Sequence, residues 1–168
     1  MEALAASTQG SADTHRLSLA AQPEALETLG AWLAQLKDAC GLSADLAYRL
    51  ELVLTEAVTN VIEHGAAAAE RGDGPAPAKS IVLACVCEAG VLKAEIEDDG
   101  PAFDPTARPE ISLPDSLEHA TPGGLGVFLV RHYTTAMDYR RERGRNVLSL
   151  AFAKEAAARP GSSTEQPA

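Results

Sequence analysis

The chain has 168 residues, 46% of them apolar but only 4% aromatic, which suits a single domain with an aliphatic core. Its 14 basic residues face 24 acidic ones, a formal net charge of −10, which argues against nucleic acid and anionic membrane surfaces as partners. No apolar run reaches the roughly 20 residues of a spanning helix, and "MEALAASTQG" lacks the regions of a secretory signal.

Residues 1–12 and 156–168 are small and polar and are expected to form flexible tails around one domain over 13–155. "THRLSLAA" (14–21) alternates apolar residues and reads as a strand. In "PEALETLGAWLAQLKDACG", Pro23 suits a first helical turn, Leu26, Leu29, Leu33 and Leu36 recur at helical spacing, and Gly41 fits a C-terminal cap. "SADLAYRLELVLTEAVTNVIEHG" is a second helix, expected to start on a Ser43 cap and to end at Gly65. Its apolar stripe runs from Leu46 through Leu50, Val53, Leu54, Ala57, Val58 and Val61 to Ile62. A loop over 66–78 leads to "SIVLACVCE" and "VLKAEIEDD", two strands joined by a turn at Ala89 and Gly90.

An irregular, proline-rich segment, 100–121, comes next; so long a loop in a compact domain is usually functional. "GGLGVFLVRHY" is a glycine-rich lead into a short helix, and "AMDYRRERGRNVLSLAFAK" closes the chain as a hairpin turning near Gly144. The 3 cysteines form no disulfide framework; Cys85 and Cys87 share a strand face as small core residues, and a reducing cytoplasm is the expected home. Hairpins interspersed with helices, without βαβ alternation, predict an α+β two-layer sandwich: a mixed, mostly antiparallel sheet with helices on one face.

Three stretches carry candidate chemistry. Glu56, Asn60 and His64 stand four apart, one above another on the second helix. They are either a solvated polar face or an acid and an amide with a shared target. In the second case the amide oxygen suits Mg²⁺ and the carboxylate could take a hydroxyl proton. Asp98 ends a strand in "EIEDDGPAFDP", as a simple Asp-Gly turn or as an acceptor that reads an amino group. Gly123, Gly124 and Gly126 are either a cap and turn or a backbone cradle for phosphate at a helix N-terminus.

In order and spacing, "ELVLTEAVTNVIEHG", "IEDDGPAFDP" and "TPGGLGVFLVRHY" resemble the N, G1 and G2 boxes of the Bergerat-fold ATPases, the superfamily of gyrase and the histidine kinases. Within it the chain looks most like the anti-sigma-factor serine/threonine kinases of bacterial partner-switching systems. The resemblance implies ATP and Mg²⁺ as cofactors, Glu56 as general base and Asn60 as metal ligand. It also implies Asp98 as the adenine reader with Gly100 beside it, and Gly123, Gly124, Leu125 and Gly126 around the phosphates. Ala102, Phe103 and Val127 fall in the same nucleotide-binding boxes. Ala102 replaces the second glycine usual in the G1 box. His64 either touches phosphate or lid or merely helps end its helix; Asp99 is expected to be an exposed turn residue. Residues 104–122 would form an ATP lid. The implied partners are a STAS-type anti-anti-sigma factor carrying the phosphoacceptor, a sigma factor, and a second copy in a homodimer. A binding module with little catalysis, or a related kinase with a different output, is the alternative.

Overall fold

The structure, a computed structural model, describes residues 13–71, 78–107 and 125–154. The elements run β1 (Thr14–Ala20), α1 (Ala25–Cys40), α2 (Ala44–Arg71), β2 (Ser80–Cys87), β3 (Val91–Asp98), a 3₁₀ turn (Pro105–Ala107), α3 (Leu125–Tyr133), β4 (Ala136–Glu142) and β5 (Arg145–Ala153). The strands form one sheet in the order β1-β2-β3-β5-β4, and every pairing in it is antiparallel. The expected two-layer α+β sandwich is thus present, with no parallel pair in the described sheet.

Helix ends follow local chemistry. The Leu46 N–H donates to Ser43 Oγ at 3.2 Å and caps α2 as expected. Gly41 closes α1 in the left-handed region, φ 58°, where a side chain would be strained. Pro23 lies in the turn before α1, not in its first turn. Gly65 does not end α2; it is buried inside a helix that continues to Arg71, so part of the loop expected over 66–78 is helical. A glycine without a following breaker costs a helix only about 1 kcal/mol, which packing can offset. The closing hairpin turns at Arg143 and Gly144, φ 51° and 80°, as a tight two-residue loop requires.

The core lies between the helices and one sheet face. Leu29, Leu33 and Leu36 of α1 and Leu46, Leu50, Val53, Leu54 and Val58 of α2 pack on Leu19, Ile81, Leu83, Leu92, Ile96, Leu150 and Phe152. The opposite face carries ion pairs: Arg145 of β5 meets Glu97 on adjacent β3, and Arg140 of β4 reaches across β5 to Glu95 of β3.

The cysteines differ from expectation. Cys40, at the end of α1, is disulfide-bonded to Cys87, at the end of β2, across 47 residues of sequence. Strand spacing correctly places Cys85 and Cys87 on one face, but only the packing of α1 on the sheet brings Cys40 within 6.1 Å (Cα–Cα). Cys85 remains a free, buried thiol, and burial pushes its pKa up to about 12. Denatured, unreduced protein should therefore titrate one thiol and reduced protein three; three thiols without reductant would refute the bond. Reduction should lower stability by about 2–4 kcal/mol in denaturant titrations.

Candidate functional site

A cleft opens between α2, α3 and the ends of β3, β5 and β4. It encloses about 600 Å³ of empty space, part of it open solvent. Its walls are mainly apolar: Ala57 and Val61 from α2, Ile96 and Leu148 from the sheet, Val127 and Val130 from α3, with Pro101 and Pro105 from the segment after β3. Asn60, His64, Asp98, Tyr139 and Asn146 supply the polar groups.

Asp98 ends β3 facing the helices, because Ile96, two residues earlier, faces the core. It is only 6% exposed. Its Oδ1 accepts the Gly100 N–H at 2.8 Å and the Asn146 Nδ2–H at 2.9 Å. Burial is the main influence on its carboxyl and raises the pKa above the ordinary range, with Asp99 adding to it. The Asn146 amide, the Gly100 N–H and Arg141 pull the other way. Gly100 is needed here for close approach: a Cβ on it would lie 2.9 Å from Asp98 Oδ1 and 3.0 Å from Ala78 Cβ. Asp99 is not the exposed turn residue that sequence suggested. Its Oδ1 accepts the N–H groups of Lys79 and Ser80, at 2.7 and 3.0 Å, and so ties the start of β2 to the end of β3. Those bonds, the Ser80 one foremost, hold its carboxyl below the usual range.

The line on α2 divides along its length. Asn60 and His64 line the cleft. Glu56, one turn earlier, reaches the first turn of α3, where a Cβ added to Gly126 would lie 2.6 Å from Glu56 Oε2 and 3.6 Å from Asn60 Nδ2. The row is therefore not a solvated face, and Glu56, Asn60 and Gly126 form one cluster. His64, away from any helix end, stacks on Phe103 with ring centroids 4.0 Å apart. Both rings line the cleft, and Val127 faces it from α3.

Ala102 is exposed and does not line the cleft, so a methyl group at this position meets no wall of it. Leu125 begins α3. Gly123, Gly124 and all of the expected lid beyond residue 107 lie outside the described residues. The first lid residues are anchored: Asp104 Oδ1 accepts the Thr106 N–H at 2.8 Å, and Arg131 of α3 donates to the Pro105 and Thr106 carbonyls.

Sequence reasoning missed Asn146, Tyr139, Arg141 and Arg131. Asn146, Tyr139 and Arg141 stand outside the three boxes, and Arg131 stands in the third box at a position to which no role was given. Asn146 matters because the β3–β5 register sets it opposite Asp98, and Tyr139 and Arg141 flank it from β4. A mainly apolar cleft with a buried carboxylate suits a heteroaromatic base bearing an amino group. An acid and an amide against a helix-start glycine suit the polar remainder of such a ligand.

Fold and cleft together define a nucleotide-binding α+β domain of the ATPase and kinase kind. A family profile described as a histidine kinase-like ATPase domain matches residues 19–152, and the chain belongs to that family. It is 33% identical over 119 residues to the serine/threonine-protein kinase BtrW of Bordetella bronchiseptica, across 71% of this chain and 79% of that protein. It therefore stands among the serine/threonine kinases of the family rather than the histidine kinases. Its fold also matches the crystal structure of the RsbU and RsbW domains of Rv1364c from Mycobacterium tuberculosis, with a TM-score of 0.56 and 16% identity. That match covers 84% of this chain and 32% of the other, so this chain spans about a third of that structure, and the likeness concerns fold alone. Among the described residues, no helix is long and apolar enough to cross a membrane.

The contact at Gly126 yields a separable prediction. Only the mobile end of Glu56 obstructs a methyl group there, so Gly126→Ala should leave the unfolding free energy within about 1 kcal/mol of wild type. The displaced carboxylate should lower ATP-dependent turnover by about tenfold or more. Unchanged turnover in a folded variant would remove Glu56 from the reacting end of the cleft.

Proposed function

We propose that this chain is an ATP-dependent serine/threonine kinase of the partner-switching type. It phosphorylates a STAS-type anti-anti-sigma factor and, in the alternative complex, binds and silences a sigma factor. It acts as a homodimer in the cytoplasm. A reducing cytoplasm would open the Cys40–Cys87 bond seen in the structure, which forms on oxidation outside it, and neither cysteine lines the cleft. One observation carries the catalytic part of this reading: the Glu56 carboxylate packs on Gly126 at the first turn of α3, one helical turn from Asn60, with Asp98 in the same cleft. The 33% identity to a protein named as a serine/threonine kinase supports a hydroxyl as phosphoryl acceptor.

The cleft residues divide the work. Asp98 accepts a hydrogen bond from the adenine amino group, while Ile96, Val61 and Leu148 enclose the ring and exclude water. Asn60 offers its amide oxygen to Mg²⁺, which when bound neutralises phosphate charge and needs few protein ligands. The start of α3 presents backbone N–H groups to the phosphates. Glu56 Oε2 takes the proton of the partner's Ser or Thr hydroxyl as that oxygen attacks the γ-phosphorus and ADP departs. A newly phosphorylated partner then meets a kinase of net charge −10 and is repelled, which frees the surface for the sigma factor.

Incubation with γ-labelled ATP, Mg²⁺ and a STAS-domain partner should place label on a partner Ser or Thr. Tight partner binding without transfer would instead mark a sequestering module, and free phosphate alone would mark a plain ATPase. Glu56→Gln should keep nucleotide affinity but reduce transfer by about a hundredfold or more; a variant as fast as wild type would rule this residue out as base.

Asp98 also predicts a pH dependence. Its ionised form is the better acceptor, and its pKa is raised, so affinity for ATP should fall as pH drops while still above the ordinary carboxylate range. Asp98→Asn should lack that component while keeping the phosphates' own titration. Parallel pH profiles for the two proteins would count against Asp98 as the adenine contact.

A further inference from the structure

Asn146 is 5% exposed and, with Asp98, makes up the buried polar pair of the described residues. A buried primary amide needs partners for two N–H groups and two carbonyl lone pairs. Here all four are met. Nδ2 donates to Asp98 Oδ1 at 2.9 Å and to the Pro101 carbonyl at 2.8 Å. Oδ1 accepts the Tyr139 hydroxyl at 2.8 Å and Arg141 Nη1 at 2.5 Å. The amide therefore has one workable orientation: reversed, its carbonyl would face a carboxylate and another carbonyl, and its N–H groups would face a guanidinium.

That fixed orientation has a consequence for Asp98. Oδ1 already receives two donors, from Gly100 and Asn146, which leaves Oδ2 as the oxygen available to the cleft. Arg141 Nη1 also donates to the Gly100 carbonyl at 3.2 Å, so one side chain braces both the amide and the turn beyond Asp98. The cross-strand register makes this a rigid assembly, with Asp98 opposite Asn146 and Asn146 opposite Arg141.

We propose that Asn146, braced by Tyr139 and Arg141, is a positioning residue that presents one defined oxygen of Asp98 to the exocyclic amino group of the bound base. The proposal rests on the reading of Asp98 as the adenine contact. Asn146 acts through Asp98, so it bears on discrimination between bases with and without the amino group more than on nucleotide affinity as such.

The test is calorimetric titration of ATP and of its 6-deamino analogue, purine riboside triphosphate, into wild type, Asn146→Ala, Tyr139→Phe and Asp98→Asn. Asn146→Ala should weaken ATP by about tenfold, the scale of one hydrogen bond to a charged group, and the deamino analogue by less than about threefold. Tyr139→Phe removes only a hydroxyl and should give the same selective loss in smaller measure, about two- to fivefold for ATP. It carries the test if Asn146→Ala does not fold. Placed in the Asp98→Asn background, neither substitution should lower selectivity further. Equal losses for both nucleotides, or no loss, would reduce the network to a structural role and overturn the proposal. The two levels fail differently. If Asp98→Asn keeps the wild-type ratio of the two affinities, the reading of Asp98 is wrong and the proposal falls with it. If Asp98→Asn collapses that ratio while Asn146→Ala and Tyr139→Phe preserve it, Asp98 reads the base without this network and only the proposal falls.

Discussion

A carboxylate buried at the end of a hydrophobic strand is the constraint around which this molecule is organised. Leaving Asp98 without donors would cost several kcal/mol. The fold supplies them from the next turn, through Gly100, and from β5, through Asn146. The second donor exists only because β5 sits directly beside β3. That seating pushes β4 to the sheet edge, so the chain leaving β3 must cross β5 before it can pair again. The crossing segment contains the 3₁₀ turn and α3, which is why α3 lies over the strand ends and walls the cleft above Asp98. Strand order, cleft and buried acid are thus one arrangement.

Helix α2 supplies the other wall, and its two faces answer different demands. The stripe from Leu46 to Val58 is buried against the sheet and anchors the helix. Ala57 and Val61 lie at the edge of that stripe and contribute apolar wall to the cleft. The adjacent row of Glu56, Asn60 and His64 rises about 12 Å along the axis. Its members are therefore spread along the site and not gathered at one point: His64 beside Phe103, Asn60 in the cleft, Glu56 at the start of α3. The same 28-residue helix positions core and site, so the spacing of the polar groups is as rigid as the packing behind it.

How much of this was legible in the sequence depends on the range of the signal. Period and caps revealed β1, both long helices, the hairpins and the Ser43 cap, because those depend on residues within a few positions of each other. The gathering of Glu56, Asn60 and Asp98 toward one region was legible through resemblance to known boxes; spacing alone favoured a solvated face for the row on α2. Gly65 misled because a lone glycine resembles a stop signal, whereas the four alanines that follow it, 66–69, are strong helix formers and the helix runs on to Arg71. Asp99 misled because an Asp-Gly neighbourhood reads as a turn until the N–H groups of Lys79 and Ser80, some twenty residues earlier in sequence, are seen against it. Cys40 with Cys87, and Asn146 with Asp98, could not be paired in advance, since each pair is made by an element packing or strand register that no local pattern encodes.

The two acids now stand in opposite circumstances, and the contrast suits the roles proposed for them. Asp98 sits in a bed of fixed donors: a backbone N–H in its own turn, and an amide whose every hydrogen-bonding site is taken. A group that discriminates between bases gains from this, because a rigid acceptor cannot turn to suit a ligand lacking the matching donor. Glu56 is half-buried on a helix face, with the end of its flexible side chain against the bare backbone of Gly126. A group that must follow a proton from a docked hydroxyl needs such reach, and the missing side chain at residue 126 leaves room for it. On the proposed reading recognition falls to the constrained carboxylate and proton transfer to the adjustable one, and the elements that carry them, β3 and α2, are those whose packing defines the fold.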